Sequence, residues 1–132
     1  MATATGTFDV LSGGETPIEE DPDGVRLTHA TGTQRFTGAI EGDGRIDWLM
    51  CYLPSGGARL VGLQRISGSI DGRSGTLVID AVGDHDGKAS SASWRVVDGS
   101  GTGELTGIRG HGGFEAPGGR TVSYRLDYEI DA

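Results

Sequence analysis

The sequence predicts an all-β fold, an antiparallel barrel of seven or eight short strands forming one domain over residues 1–132. Three observations carry this reading. First, β-prone runs are punctuated by 25 glycines in 132 residues, with no Gly-X-Y period that would indicate collagen. Second, Ile70-Asp71-Gly72-Arg73 lies between two alternating runs, and Asp-Gly is a strong hairpin signal because a type I′ turn needs positive φ at both central residues. Third, Arg120–Ile130 alternates cleanly, with Val122, Tyr124, Leu126, Tyr128 and Ile130 on one face and polar residues on the other. No segment shows helical periodicity beyond a turn or two. Closure into a barrel removes exposed strand edges, and about eight strands leave an interior that side chains fill or that holds one small ligand.

The elements follow in order. Thr3–Leu11 alternates with Ala4, Gly6, Phe8 and Val10 on one face. Ser12–Gly24 is polar and rich in Pro and Gly, which predicts a loop crossing one end of the barrel, with its acidic residues solvated. Val25–Ile40 is β-prone, and Gly32 and Gly38 within it predict a bulge or corner. Glu41-Gly42-Asp43-Gly44 is expected to turn into a strand over Arg45–Leu53. That strand has Ile46, Trp48, Met50 and Tyr52 on one face, and Leu49, Cys51 and Leu53 make the other apolar too. An apolar outer face suits a subunit contact, so a homodimer is a possible assembly.

After a turn at Pro54–Gly57 comes the central hairpin. Leu60, Gly62, Gln64 and Ile66 face inward on its first strand, and Leu77, Ile79 and Ala81 on its second. A turn at Gly83–Gly87 leads to Lys88–Val97, with Ala92, Trp94 and Val96 on one face. The glycine-dense segment Asp98–Gly113 lacks the GK[ST] ending and strand-to-helix setting of a phosphate loop. It reads as a glycine-rich strand or bend at a barrel seam.

The net charge of −8 disfavours nucleic acid and anionic membrane surfaces as partners. Arg is strongly preferred over Lys, which occurs only at Lys88; with the Gly, Ala and Asp content, this bias points to a high-GC bacterial genome. Cys51 is the single cysteine, so no internal disulfide forms. The opening MATATGTFDV lacks the basic and apolar regions of a signal peptide, and no apolar run reaches membrane-spanning length. A cytoplasmic protein is expected.

The phrases ATGTFDV, RFTGAIEGDG, VGLQRISGSIDGRSGTLVI, VDGSGTGELTGIRGHGGF and YRLDY occur in that order. Together they resemble the domain-of-unknown-function 3224 family, which is similar to allene oxide cyclase-type barrels. The resemblance implies an eight-stranded antiparallel barrel with an internal cavity, and by analogy ring closure or isomerisation of a small hydrophobic molecule. The chain departs from the family pattern at three positions. Gln64 stands where an acidic residue is usual, Gly13 where a large aromatic is frequent, and Ala81 where His is common. If these positions face inward, the barrel is roomier and less charged than its relatives, as suits a bulky apolar ligand.

Other chemistry finds little support. His29, His85 and His111 are scattered without metal-ligand spacing, so no metal is expected. Cys51 shares its face with leucines, no G-x-S-x-G elbow occurs, and no cofactor motif is present. Glu15, Glu41 and Asp47 are candidates for paired-carboxylate work, but spacing alone does not bring them together. The remaining constellation is an inward lining of Phe8, Trp48, Met50, Leu60, Leu77, Trp94 and Tyr128 as substrate-binding residues. Tyr52, Gln64 and Tyr124 are the polar, candidate catalytic groups. The expected function is a cofactor-independent cyclase or isomerase that templates a hydrophobic substrate and polarises a carbonyl or epoxide oxygen. The alternative is a non-catalytic barrel that binds a small hydrophobic molecule, or an oligomerising accessory protein.

Overall fold

Alternating inward apolar residues give each strand one buried face, and eight such strands curl until the first meets the last. In the computed structural model, which describes residues 1–86, 88–117 and 121–130, the strands form a closed antiparallel barrel in simple sequence order. They are β1 Ala2–Glu20, β2 Arg26–Gly38, β3 Ile40–Tyr52, β4 Ala58–Ile70, β5 Arg73–His85, β6 Ser90–Val96, β7 Ile108–Ala116 and β8 Thr121–Ile130. A short 3-10 turn, Gly103–Leu105, precedes β7, and no helix among the described residues is long and apolar enough to cross a membrane.

The central hairpin forms as its turn chemistry dictates. Asp71 and Gly72 both take positive φ, 48° and 85°, and Ile70 pairs with Arg73. Leu60, Gln64, Ile66, Leu77, Ile79 and Ala81 are buried, while Val61 and Leu63 point outward. Leu49, Val61 and Val82 form a directly paired row on the outer surface of β3, β4 and β5; Leu53 is exposed at the strand end and Cys51 is half-buried.

Several elements differ from expectation. The segment predicted as a loop from Ser12 continues as strand to Glu20, paired with β2 from Ser12↔Thr33 to Glu20↔Arg26. Two register shifts, at Val10/Ser12 and Pro17/Glu19, accommodate the irregular sequence, and Pro17 is tolerated because bulged ladders do not require every N–H. The Glu41–Gly44 turn is instead the start of β3, and the reversal occurs at Gly38-Ala39, where Gly38 has φ +103°. Gly44 serves packing: a Cβ there would lie 2.5 Å from Gln34 Oε1 and 2.7 Å from the Phe36 ring. Finally, Asp98–Gly113 is part turn and part strand, with buried Leu105 in the 3-10 turn and β7 beginning at Ile108. The predicted Gly83–Gly87 turn is shorter than expected, because β5 continues through Gly83 to His85, paired with both β4 and β6; Gly87 and Arg120 lie outside the described residues.

The core is graded along the barrel axis. The end carrying the Asp71-Gly72 turn is filled by Ile40, Ile66, Ile70, Leu77, Leu105, Ile108 and Leu126, all nearly inaccessible. A middle layer of Phe8, Phe36, Trp94, Phe114 and Tyr124 packs ring against ring at centroid distances of 5.1–6.3 Å. The other end is less filled. There the β1–β8 ladder stops at Asp9↔Thr121, while β1 runs on against β2 alone.

Candidate functional site

A chamber of about 490 Å³ opens at that second end. Its wall includes Phe8, Val10 and Glu15 from β1, Ala30 from β2, Ile46 and Trp48 from β3, Phe114 and Ala116 from β7, and Val122 from β8. Trp48 and Phe114 reach towards each other from strands that are not neighbours and stack across the barrel, with centroids 5.9 Å apart and planes at 12°. Phe8 meets Phe114 edge-on at 5.7 Å. Gly13 and Gly32, paired with each other, also line the space, so the wall is thinnest where β1 and β2 carry no side chain. Outer-surface hollows of about 520 and 580 Å³ have no aromatic lining.

Two polar groups border the chamber: Ser90, bonded to His85 Nδ1 at 2.6 Å, and a cluster around Glu15. The Tyr52 hydroxyl donates to both Glu15 carboxylate oxygens, at 2.6 and 2.8 Å, and Thr28 Oγ1 donates to Glu15 Oε2 at 2.8 Å. The bulge in β1 makes this possible, because it turns Gly13 and Glu15 onto the face that Phe8 and Val10 occupy further back. Arg26 lies over the Tyr52 ring, 4.5 Å from its centroid. Burial, followed by the bond to Glu15, pushes the Tyr52 phenol up to about 12, so it stays a hydrogen-bond donor at neutral pH.

Deeper in, Gln34 and Gln64 are fully buried. Trp94 Nε1 donates to Gln64 Oε1 at 3.1 Å, and Gln64 Nε2 donates to Gln34 Oε1 at 3.2 Å. Gln34 Nε2 and Trp48 Nε1 are buried without a hydrogen-bond partner. At the far end the Tyr124 hydroxyl accepts from the Ile40 N–H and donates to the Thr37 carbonyl, each at 2.9 Å, and burial raises its pKa. Tyr128 donates to Asp71 on the hairpin turn; burial, then that bond, pushes its phenol up to about 12.

Of the residues expected from sequence to form the site, Phe8 and Trp48 line the chamber and Tyr52 stands at its edge. Met50, Leu60, Leu77 and Trp94 are core, Gln64 and the Tyr124 ring sit in the middle layer with the Tyr124 hydroxyl reaching the β2–β3 reversal, and Tyr128 braces the opposite end. Tyr52, at the chamber's edge, therefore stands apart from Gln64 and Tyr124, which both meet Trp94 in the middle layer. Gly13, Gln64 and Ala81 all face inward, and of these Gly13 borders the chamber. Phe114 was hidden by the glycines around it, although Ile108 and Phe114 share one parity of β7. Among the described residues no three His, Cys, Asp or Glu side chains gather as a metal site.

Comparisons with known proteins agree with this architecture. A search of curated proteins finds no match. The chain is similar to the crystal structure of a protein of unknown function from the DUF3224 family of Shewanella oneidensis MR-1. Identity is 24%, the alignment covers 100% of this chain and 99% of that one, and the TM-score is 0.80. That likeness carries the fold. The family model described as "Protein of unknown function (DUF3224)" matches residues 4–128, nearly the whole barrel, and the chain belongs to that family.

Proposed function

We propose that this protein binds a small, largely apolar molecule in the chamber at the open end of its barrel. The observation that carries this reading is the aromatic and aliphatic wall, formed by Phe8, Ile46, Trp48, Phe114 and Val122 around about 490 Å³. Small-molecule sites commonly measure about 300–1,000 Å³ and are lined in this way, with a few polar groups to orient the ligand. The filled opposite end supplies the rigid support such a site needs. The test uses the neutral dye N-phenylnaphthylamine, whose emission rises in an apolar site. Wild-type protein is expected to bind it. Gly13→Trp, which projects a ring into the chamber, is expected to abolish binding with the β-sheet circular dichroism retained. Absence of dye binding by the wild type would refute the reading.

A cyclase or isomerase acting on that molecule is a second reading, favoured by the Glu15–Tyr52 pair. A carboxylate beside an apolar chamber is placed to take a proton, and a phenol held protonated can bond an oxygen as it gains charge. The expected likeness to allene oxide cyclase-type barrels supports the same chemistry by analogy. In this reading Gln64 and Tyr124 hold the framework. Glu15→Gln and Tyr52→Phe should each slow turnover of a true substrate, and unchanged turnover in both removes the assignment.

A further inference from the structure

Resting on the binding reading above, we infer that the molecule the chamber takes is an organic amine, a protonated nitrogen on an apolar body. Among the described residues that line the chamber, Glu15 is the one acidic or basic side chain, with His85 bonded behind the lining Ser90 at 2.6 Å. Its carboxylate is held by two neutral donors, the Tyr52 and Thr28 hydroxyls, and has no ion-pair partner among the described residues. The nearby guanidinium of Arg26 is engaged with the Tyr52 ring. The two hydroxyls fix the direction of the carboxylate and leave Oε1, which accepts only from Tyr52, with a free lone pair.

The remaining wall suits a cation as well. Trp48, Phe8 and Phe114 line the same chamber below the exposed Glu15, and aromatic rings attract ammonium groups. A carboxylate ligand would meet Glu15 with like charge, and Arg26, the nearby cation, is not among the residues lining the chamber. A net charge of −8 raises the local concentration of cations around the whole molecule. The geometry therefore selects by charge at the mouth and by apolar contact below it.

Competition against bound N-phenylnaphthylamine tests this on the full chain with three ligands of one shape: naphthylmethylamine, naphthylmethanol and naphthoate. The amine is expected to displace the dye at about tenfold lower concentration than the alcohol, with the carboxylate weakest. In Glu15→Gln, with each displacement referred to that variant's own dye affinity, the amine and alcohol are expected to become equal. If the dye binds and the amine shows no advantage, or keeps its advantage in Glu15→Gln, the amine assignment fails while the binding reading stands. If the dye does not bind wild-type protein, both fail.

Discussion

Trp48 and Phe114 stack across the barrel at 5.9 Å although their strands, β3 and β7, are not neighbours in the sheet. This contact separates the filled core from the chamber. Phe114 is 5% exposed and also touches Phe8 and Trp94, so its ring is shared by the floor and the aromatic layer beneath it.

Truncating that shared ring should therefore be costly. Phe114→Ala is expected to lower stability by about 3–5 kcal/mol, the usual cost of removing a buried phenyl group. Urea denaturation with the slope held constant measures it. A loss below about 1 kcal/mol would mean that the neighbours collapse into the gap and that the floor does not depend on the stack.

Tyr124 makes a different prediction because its hydroxyl is a backbone partner. It accepts from the Ile40 N–H where β2 turns into β3, and Ile40 is fully buried. Tyr124→Phe leaves that N–H unsatisfied and is expected to destabilise by about 1–3 kcal/mol, with little effect on dye binding at the far end. Amide hydrogen exchange at Ile40 should accelerate. Unchanged exchange would show that another acceptor replaces the phenol.

The contrast between β4 and β1 shows what was legible in the sequence. Leu60, Gln64 and Ile66 alternate without interruption, so their inward placement follows from period alone. In β1 the same period holds through Phe8 and Val10 and then breaks at the bulge before Ser12. Continued unbroken, it would put Glu15 on the outside with Asp9. A one-residue slip exchanges the two faces, so Glu15 was invisible to alternation. The outer half of β1 was also obscured by its Ser-Gly-Gly and Pro content, and it is strand because β2 pairs with it. The hairpin turn, by contrast, was dictated locally by Asp71-Gly72.

The two buried glutamines should respond unequally. Gln64→Leu strands the Trp94 N–H and Gln34 Oε1 together. Gln34→Leu strands only Gln64 Nε2, and it removes an amide nitrogen that already lacks a partner. Each newly buried orphan costs about 1–3 kcal/mol. Gln64→Leu is therefore expected to be the more destabilising change by at least about 1 kcal/mol in parallel denaturant titrations. Equal losses would mean that the hydrogen-bond chain does not organise this layer.

The last prediction concerns alkaline pH. All three tyrosines, Tyr52, Tyr124 and Tyr128, have pKa values raised above the ordinary 10.0, and Tyr52 and Tyr128 reach about 12. In each case burial is the largest cause; the carboxylates of Glu15 and Asp71 add to it at Tyr52 and Tyr128. A phenol whose pKa is higher in the folded than in the unfolded state gives up its proton more readily on unfolding. Its contribution to stability is complete below the unfolded value of about 10 and declines as pH rises towards the folded value. Stability should therefore fall between about pH 10 and about pH 12, with tyrosinate absorbance appearing late in native protein and near pH 10 in denaturant. Glu15→Gln removes the carboxylate from Tyr52 alone, so one of the three transitions should move to lower pH while the other two stay. A titration of the native protein already complete near pH 10 would contradict the hydrogen-bonded, desolvated state of all three phenols.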